Sequence, residues 1–109
     1  MEDMKTKVLN CPVDLISADV ALEKANNAIK SNQNFQIITI NPEMIMNSQK
    51  NPEFLKIIND SDMNIADGIG VKIALKLKNI KQDNIRGVDF ARSLIKLASE
   101  NNYKIAFLG

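Results

Sequence analysis

The chain has no histidine, no tryptophan and only one cysteine, Cys11, in 109 residues. A lone cysteine cannot close an intramolecular disulfide, and without histidine no Cys/His set can hold zinc. A metal would have to rest on carboxylates alone. The dispersed Asp and Glu residues lack calcium-loop spacing, so neither metal nor cofactor is expected. Cys11 beside Pro12 reads as a small buried or half-buried residue. Four Phe and one Tyr supply few stacking platforms, and a formal net charge of +1 gives no electrostatic case for nucleic acid. No run approaches the roughly twenty apolar residues of a membrane span. The opening MEDMKTK has no apolar signal-peptide region, so the expected compartment is the cytosol.

What is present fits an α/β domain or a large part of one: 45% hydrophobic and 25% charged residues lie near globular averages. Strand and helix signals alternate. Residues 7–13 read as a short strand or strand pair interrupted at Pro12. Ser17 then suits an N-cap for a helix over residues 18–30, with Ala21, Leu22, Ala25, Ala28 and Ile29 as its buried stripe. FQIITI at residues 35–40 is a β-branched run of strand length. It stops at Asn41-Pro42-Glu43, an N-cap, a first-position proline and a first-turn acid. Helices follow over residues 42–49 and 52–59, the second burying Phe54, Leu55 and Ile58. Met44, Ile45 and Met46 read as helix-to-sheet packing, with contact to a lipid as the other reading.

A short strand over residues 63–66 leads to Asp67, and a helix is expected over residues 69–78. Its lysines, with Lys81, read as a solvated face, although they could meet anionic lipid. Residues 83–87 connect to an amphipathic helix over 89–100 with Phe90, Leu94, Leu97 and Ala98 inward. Residues 103–108 close as a strand whose Ile105, Phe107 and Leu108 look like central-sheet residues. Such alternation argues for a Rossmann-like, largely parallel sheet covered by helices.

The stretch IADGIGV, residues 65–71, concentrates the candidate chemistry. Gly68 and Gly70 let the backbone turn sharply and bring amide groups near a helix start, a geometry suited to phosphate or a polar sugar. Asp67 at that point has two readings: N-cap of the helix, or acceptor of a proton from a substrate hydroxyl. In an open parallel sheet, the junctions at Asn41 and Asp67 both fall at the carboxyl edge, where ligands bind. Alternation along the preceding strand sends Thr39 and Asn41 to one side and Ile40 to the other, which predicts that Thr39, Asn41 and Asp67 face one cleft.

Thr39-Ile40-Asn41-Pro42-Glu43-Met44-Ile45, Asn51-Pro52-Glu53-Phe54, Ala66-Asp67-Gly68-Ile69-Gly70-Val71, Gly87-Val88-Asp89 and the final IAFLG follow one another as in the WecG/TagA/CpsF family of bacterial glycosyltransferases, which the chain resembles from about Val8 onward. The pattern is not matched everywhere. Members commonly carry an arginine three residues before the glycine that matches Gly87; here that position is Asn84, and Arg86 adjoins the glycine. Family members also run on for roughly another domain half, so the chain looks like the amino-terminal portion of a single α/β domain.

The resemblance implies an inverting transfer of N-acetylmannosamine or a related sugar from a UDP donor to N-acetylglucosamine on undecaprenyl diphosphate, in teichoic acid or surface polysaccharide synthesis. It implies no bound metal. It makes Asp67 the catalytic base, with Thr39, Asn41, Gly68, Gly70 and Arg86 binding substrate. A cytoplasmic enzyme at the inner membrane face is implied, touching the membrane through the absent carboxyl-terminal part and with homo-oligomerisation open. A non-catalytic module that binds a nucleotide sugar or phosphorylated ligand would share the same residues.

Overall fold

The computed structural model describes residues 5–66 and 87–107. The helix expected over residues 69–78 lies outside them, as does most of the 83–87 connector. Eight elements are described: β1 (Lys5–Val8), β2 (Cys11–Asp14), α1 (Ala18–Lys30), β3 (Ile37–Ile40), α2 (Pro42–Lys50), α3 (Pro52–Asp60), β4 (Met63–Ala66) and α4 (Gly87–Asn101). The sheet order is β1-β2-β4-β3. β4 runs parallel to both β2 and β3, and only β1 is antiparallel.

Pro12 does not interrupt the first strand region; it sits within β2, in register with Lys7 of a hairpin. The two-residue turn is Leu9-Asn10, with φ of 48° and 68°, the positive pair that a tight right-twisted hairpin needs. Its ends are tied to the helices behind it. Gln49 Nε2 donates to the Leu9 carbonyl (2.7 Å), and Asn59 Nδ2 to that of Asn10 (3.4 Å).

Two crossovers shape the rest. The chain passes from β2 through α1 to β3, stepping over the place of β4, then returns through α2 and α3 to fill it. Crossovers of one handedness that travel in opposite directions put their helices on opposite faces. The core divides accordingly. On one face Cys11, Val13, Ile40 and Ala66 pack with Ile45 of α2 and Ile58 of α3. On the other, Met63 and Ile65 pack with Ala21 of α1 and Phe90 of α4.

Helix side chains follow the expected stripes with one exception. Met46 is 57% exposed, while its neighbour Ile45 is buried; α2 turns Ile45 to the sheet and carries Met46 about 100° round, away from it. β3 starts two residues later than expected, because the Gln36 N–H donates to the Asp62 carboxylate (2.6 Å) and its carbonyl accepts from Asp62 and Met63.

The closing strand is not formed. Residues 103–107 join no ladder, and Ile105 and Phe107 are 43% and 59% exposed. β-propensity alone does not make a strand, because context decides where a segment packs, and this segment begins tied to the helix layer. The Tyr103 N–H closes the end of α4 on the Ala98 carbonyl, and its hydroxyl donates to Asn26 of α1 (3.0 Å).

Between β2 and β4 the register shows one pair, Asp14 with Ile65. Side chains supply the rest of this seam, since Pro12 has no N–H to offer. Buried Asn64 donates through Nδ2 to the carbonyls of Pro12 and Ile58, both at 2.9 Å, and accepts at Oδ1 from Ser61 (2.5 Å). Its own N–H goes to the Asp14 carboxylate at 2.7 Å.

Truncating Asn64 takes the amide donor from the Pro12 carbonyl, while the Ile58 carbonyl and the Ser61 hydroxyl keep each other at 2.9 Å. Asn64→Ala should therefore lower the unfolding free energy by about 1–3 kcal/mol, read as a drop in urea midpoint with unchanged slope. The turn predicts a change of opposite sign. Leu9 is exposed in a left-handed conformation that costs a branched side chain about 1 kcal/mol, so Leu9→Asn should raise stability by about 0.5–1 kcal/mol in the same titration.

Candidate active site

The parallel strands β2, β4 and β3 end together. Thr39 and Asp14 are both in register with Ile65, which makes a row Asp14, Ile65, Thr39 across the sheet. One residue further, Ile40 is paired with Ala66. The next residues in the chain are Asn41 and Asp67.

From this edge α1 and α2 depart on opposite faces, leaving the carboxyl end of β4 between them. That is the opening in which open α/β sheets bind ligands. Both helices start there with filled caps. Ser17 Oγ accepts from the Val20 N–H (3.3 Å), and Asn41 Oδ1 from that of Met44 (2.9 Å). The partial positive charge of two helix N-termini is thus directed to one edge, a favourable setting for an anionic or polar ligand.

The structure places two of the expected site residues at this edge. Thr39 is half-buried, on the α1 face by alternation with Ile38 and Ile40. Asn41 is also half-buried, and with its Oδ1 committed to the cap, Nδ2 is the atom it can offer a ligand. The second Asn-Pro-Glu shows what the cap alone looks like. Asn51 bonds the Phe54 N–H in the same way (3.2 Å) but is exposed at a helix-helix joint, away from the sheet edge. Asp67, Gly68, Gly70 and Arg86, and with them the cleft expected to be shared by Thr39, Asn41 and Asp67, lie outside the described residues.

Sequence reasoning missed Asp14 and Asn64. Asp14 is 5% exposed, with Oδ1 3.6 Å from Lys5 Nζ. The available signal was a polar residue inside an otherwise apolar strand, as in MNIA. Among the described residues no three Asp, Glu or Cys side chains gather as a metal set, and no described helix is long and apolar enough to cross a membrane. An open depression of about 350 Å³ lies at the other end of the strands, lined by Lys24, Ser31, Gln33 and Phe35 among others. It is remote from the β4 exit.

A helix-flanked, mostly parallel sheet of this kind is an α/β, Rossmann-like architecture. The chain belongs to the glycosyl transferase WecG/TagA/CpsF family, whose model matches residues 6–109. Similar curated proteins include the N-acetylglucosaminyldiphosphoundecaprenol N-acetyl-beta-D-mannosaminyltransferases of Staphylococcus aureus strains NCTC 8325 / PS 47, COL and MSSA476. Each is 32% identical over 83 residues, 75% of this chain and 33% of the relative. The chain spans about a third of the length of these relatives.

The cap at Asn41 can be separated from any ligand role. Asn41→Ala should cost about 1 kcal/mol of stability, whereas Asn41→Asp, which keeps the capping oxygen, should stay within about 0.5 kcal/mol of the parent in urea titration. An equal loss in both variants would show that Oδ1 is not what matters.

Proposed function

We propose that the full-length protein is an inverting glycosyltransferase that moves N-acetylmannosamine, or a related sugar, from a UDP donor to N-acetylglucosamine on undecaprenyl diphosphate. The observation that carries this reading is the match of the family along residues 6–109, in a chain whose Thr39 and Asn41 stand at the carboxyl edge beside the exit of β4. The sugar and the acceptor are those in the names of the relatives. The product would enter teichoic acid linkage or surface polysaccharide synthesis.

In the proposed reaction the acceptor hydroxyl oxygen bonds to the anomeric carbon from the face opposite the nucleotide. The bond from that carbon to the UDP oxygen breaks, and its electron pair leaves with UDP. The hydroxyl proton passes to the Asp67 carboxylate. An aspartate is a weak base at neutral pH, so proton transfer is late and coupled to attack. Thr39 and the Nδ2 of Asn41 orient the sugars. Backbone amides at Gly68 and Gly70, assisted by Arg86, take up charge that develops on the diphosphate.

The 109-residue chain is, in this reading, the amino-terminal portion of a single domain. The remainder contributes much of the nucleotide site and the contact with the inner membrane face. Assembly into homo-oligomers fits the same scheme.

Asp67→Asn in the full-length enzyme tests the reading. It should retain donor binding while turnover at saturating substrate falls by about 10² to 10⁴, the range for losing a positioned base. Near-normal turnover would remove Asp67 from that role. Donor binding with no transfer in the parent protein would instead favour the binding-module reading.

A further inference from the structure

β3 is a border strand of the described sheet, and its sequence IITI carries no charge, whereas the opposite border, β1, carries Lys5 and Lys7. Charges on a border strand discourage pairing, and a strand without them is a template for another. The Gln36 N–H bonds the Asp62 carboxylate and its carbonyl accepts from Asp62 and Met63, so both backbone groups of Gln36 point to the β4 side. Successive residues of a parallel strand alternate in the side to which they bond. Ile38 and Ile40 therefore bond toward β4, and the N–H and carbonyl groups of Ile37 and Thr39 face the free edge.

One segment of the chain is delivered to that edge. The step from β2 to β3 travels toward the β3 border with α1 on one face. α4, the described part of the connection from β4 to residues 103–107, lies on the same face: Phe90 packs with Ala21 of α1 and with Met63 and Ile65. Crossovers between parallel strands share one handedness, so a step out of β4 with its helix on the α1 face runs in the same direction as the step from β2 to β3. On that side β3 already fills the neighbouring place, and the next is its free edge. The starting height also fits. The Tyr103 hydroxyl bonds Asn26, which lies about 12 Å along α1 from its start at the carboxyl edge. A four-residue strand is about as long, so Tyr103 stands at the amino ends, where a strand parallel to β3 begins. The KIAF that follows is apolar after its lysine, and its Ile105 and Phe107 are left 43% and 59% exposed.

We propose that in the full-length protein residues 104–107 form a fifth strand, parallel to β3 and hydrogen-bonded to its free edge. Tyr103 faces the α1 side, so alternation sends Ile105 and Phe107 to that side as well. With Tyr103 beside Phe35, which packs in the α1 cluster, Ile105 comes level with Ile37 and Phe107 with Thr39. Phe107 then stands next to Thr39 at the carboxyl edge. A parallel strand needs cover on both faces. The chain spans about a third of the length of its relatives, so the full-length protein has further chain to supply that cover. None of this requires sugar transfer, and an inactive Asp67→Asn or an active one leaves it untouched.

The test is residue-resolved amide exchange on the full-length protein, together with mild oxidation of full-length protein carrying Ile37→Cys and Ile105→Cys. The Ile37 and Thr39 amides should exchange within about tenfold of those of Ile38 and Ile40, whereas an open edge leaves them about 10²-fold faster or more. The cysteine pair should close an intramolecular disulfide, because neighbouring strands lie about 4.8 Å apart, inside the Cα range that a disulfide spans. Ile37→Cys combined with Lys104→Cys puts the thiols on opposite faces and should close about tenfold more slowly or worse. Fast exchange at Ile37 and Thr39 overturns the proposal. Protection without a disulfide between positions 37 and 105 also overturns it, since another segment then covers the edge. A disulfide formed only between two molecules gives the edge to a second copy, and equal closure of both pairs is the behaviour of a loose tail; either result overturns it. Should the cysteine variants fail to fold, nuclear Overhauser contacts in the parent protein decide. Contacts between backbone protons of residues 104–107 and 37–40 support the proposal, and their absence overturns it.

Discussion

The structure depends on how β4 is held between its neighbours. Against β3 it has four consecutive register pairs; against β2 it has one. The weaker side is completed by Asn64, which spends both amide hydrogens on the carbonyls of Pro12 and Ile58, and by Asp14, which takes the Asn64 N–H. A proline inside β2 makes this necessary, because a strand that cannot donate at that position cannot continue an ordinary ladder. The same asparagine reaches strand β2, helix α3 and the Ser61 turn, so a single buried amide joins the hairpin to the α3 side of the sheet. Every buried side-chain polar atom among the described residues has a partner. A network so complete specifies one arrangement, whereas a partly filled one would favour several.

That joint bears on the candidate site because the site is an edge, and an edge is only as well defined as the strands that end in it. Crossovers in opposite directions carry α1 and α2 to opposite faces, and two asparagine or serine caps hold the helix starts beside the strand ends. Thr39 and Asn41 are therefore placed by rigid elements. Neither depends on a long loop. The antiparallel hairpin contributes in another way: Gln49 and Asn59 hold its turn against α2 and α3, and β1 covers one border of the sheet with Lys5 and Lys7 in its sequence. Lysines on a border strand discourage further pairing.

Much of this was legible in the residues. Ser17, Asn41-Pro42 and Asn51-Pro52 announce three helix starts, and all three helices begin at the expected residue, since cap and proline act locally. The mostly parallel sheet was legible from alternation, and Thr39 and Asn41 were legible as edge residues. The hairpin turn was obscured because Leu9-Asn10 lacks the glycine that usually marks positive φ. Asp14 and Asn64 were obscured for a different reason. Their importance arises from partners 50 and 52 residues away in the chain, which no local pattern reveals.

The segment after α4 shows the limit of local reading from the other direction. KIAF has the composition of a central strand, yet residues 103–107 pair with nothing in the described sheet, and Tyr103 is bonded to the helix layer instead. Composition reports what a residue tolerates; pairing depends on where the preceding segment is held. β3 ends the described sheet opposite β1, and its IITI sequence carries no charge. In the lipid-linked sugar transferase proposed here, the edge that binds substrate and the border formed by β3 adjoin at Thr39 and Ile40.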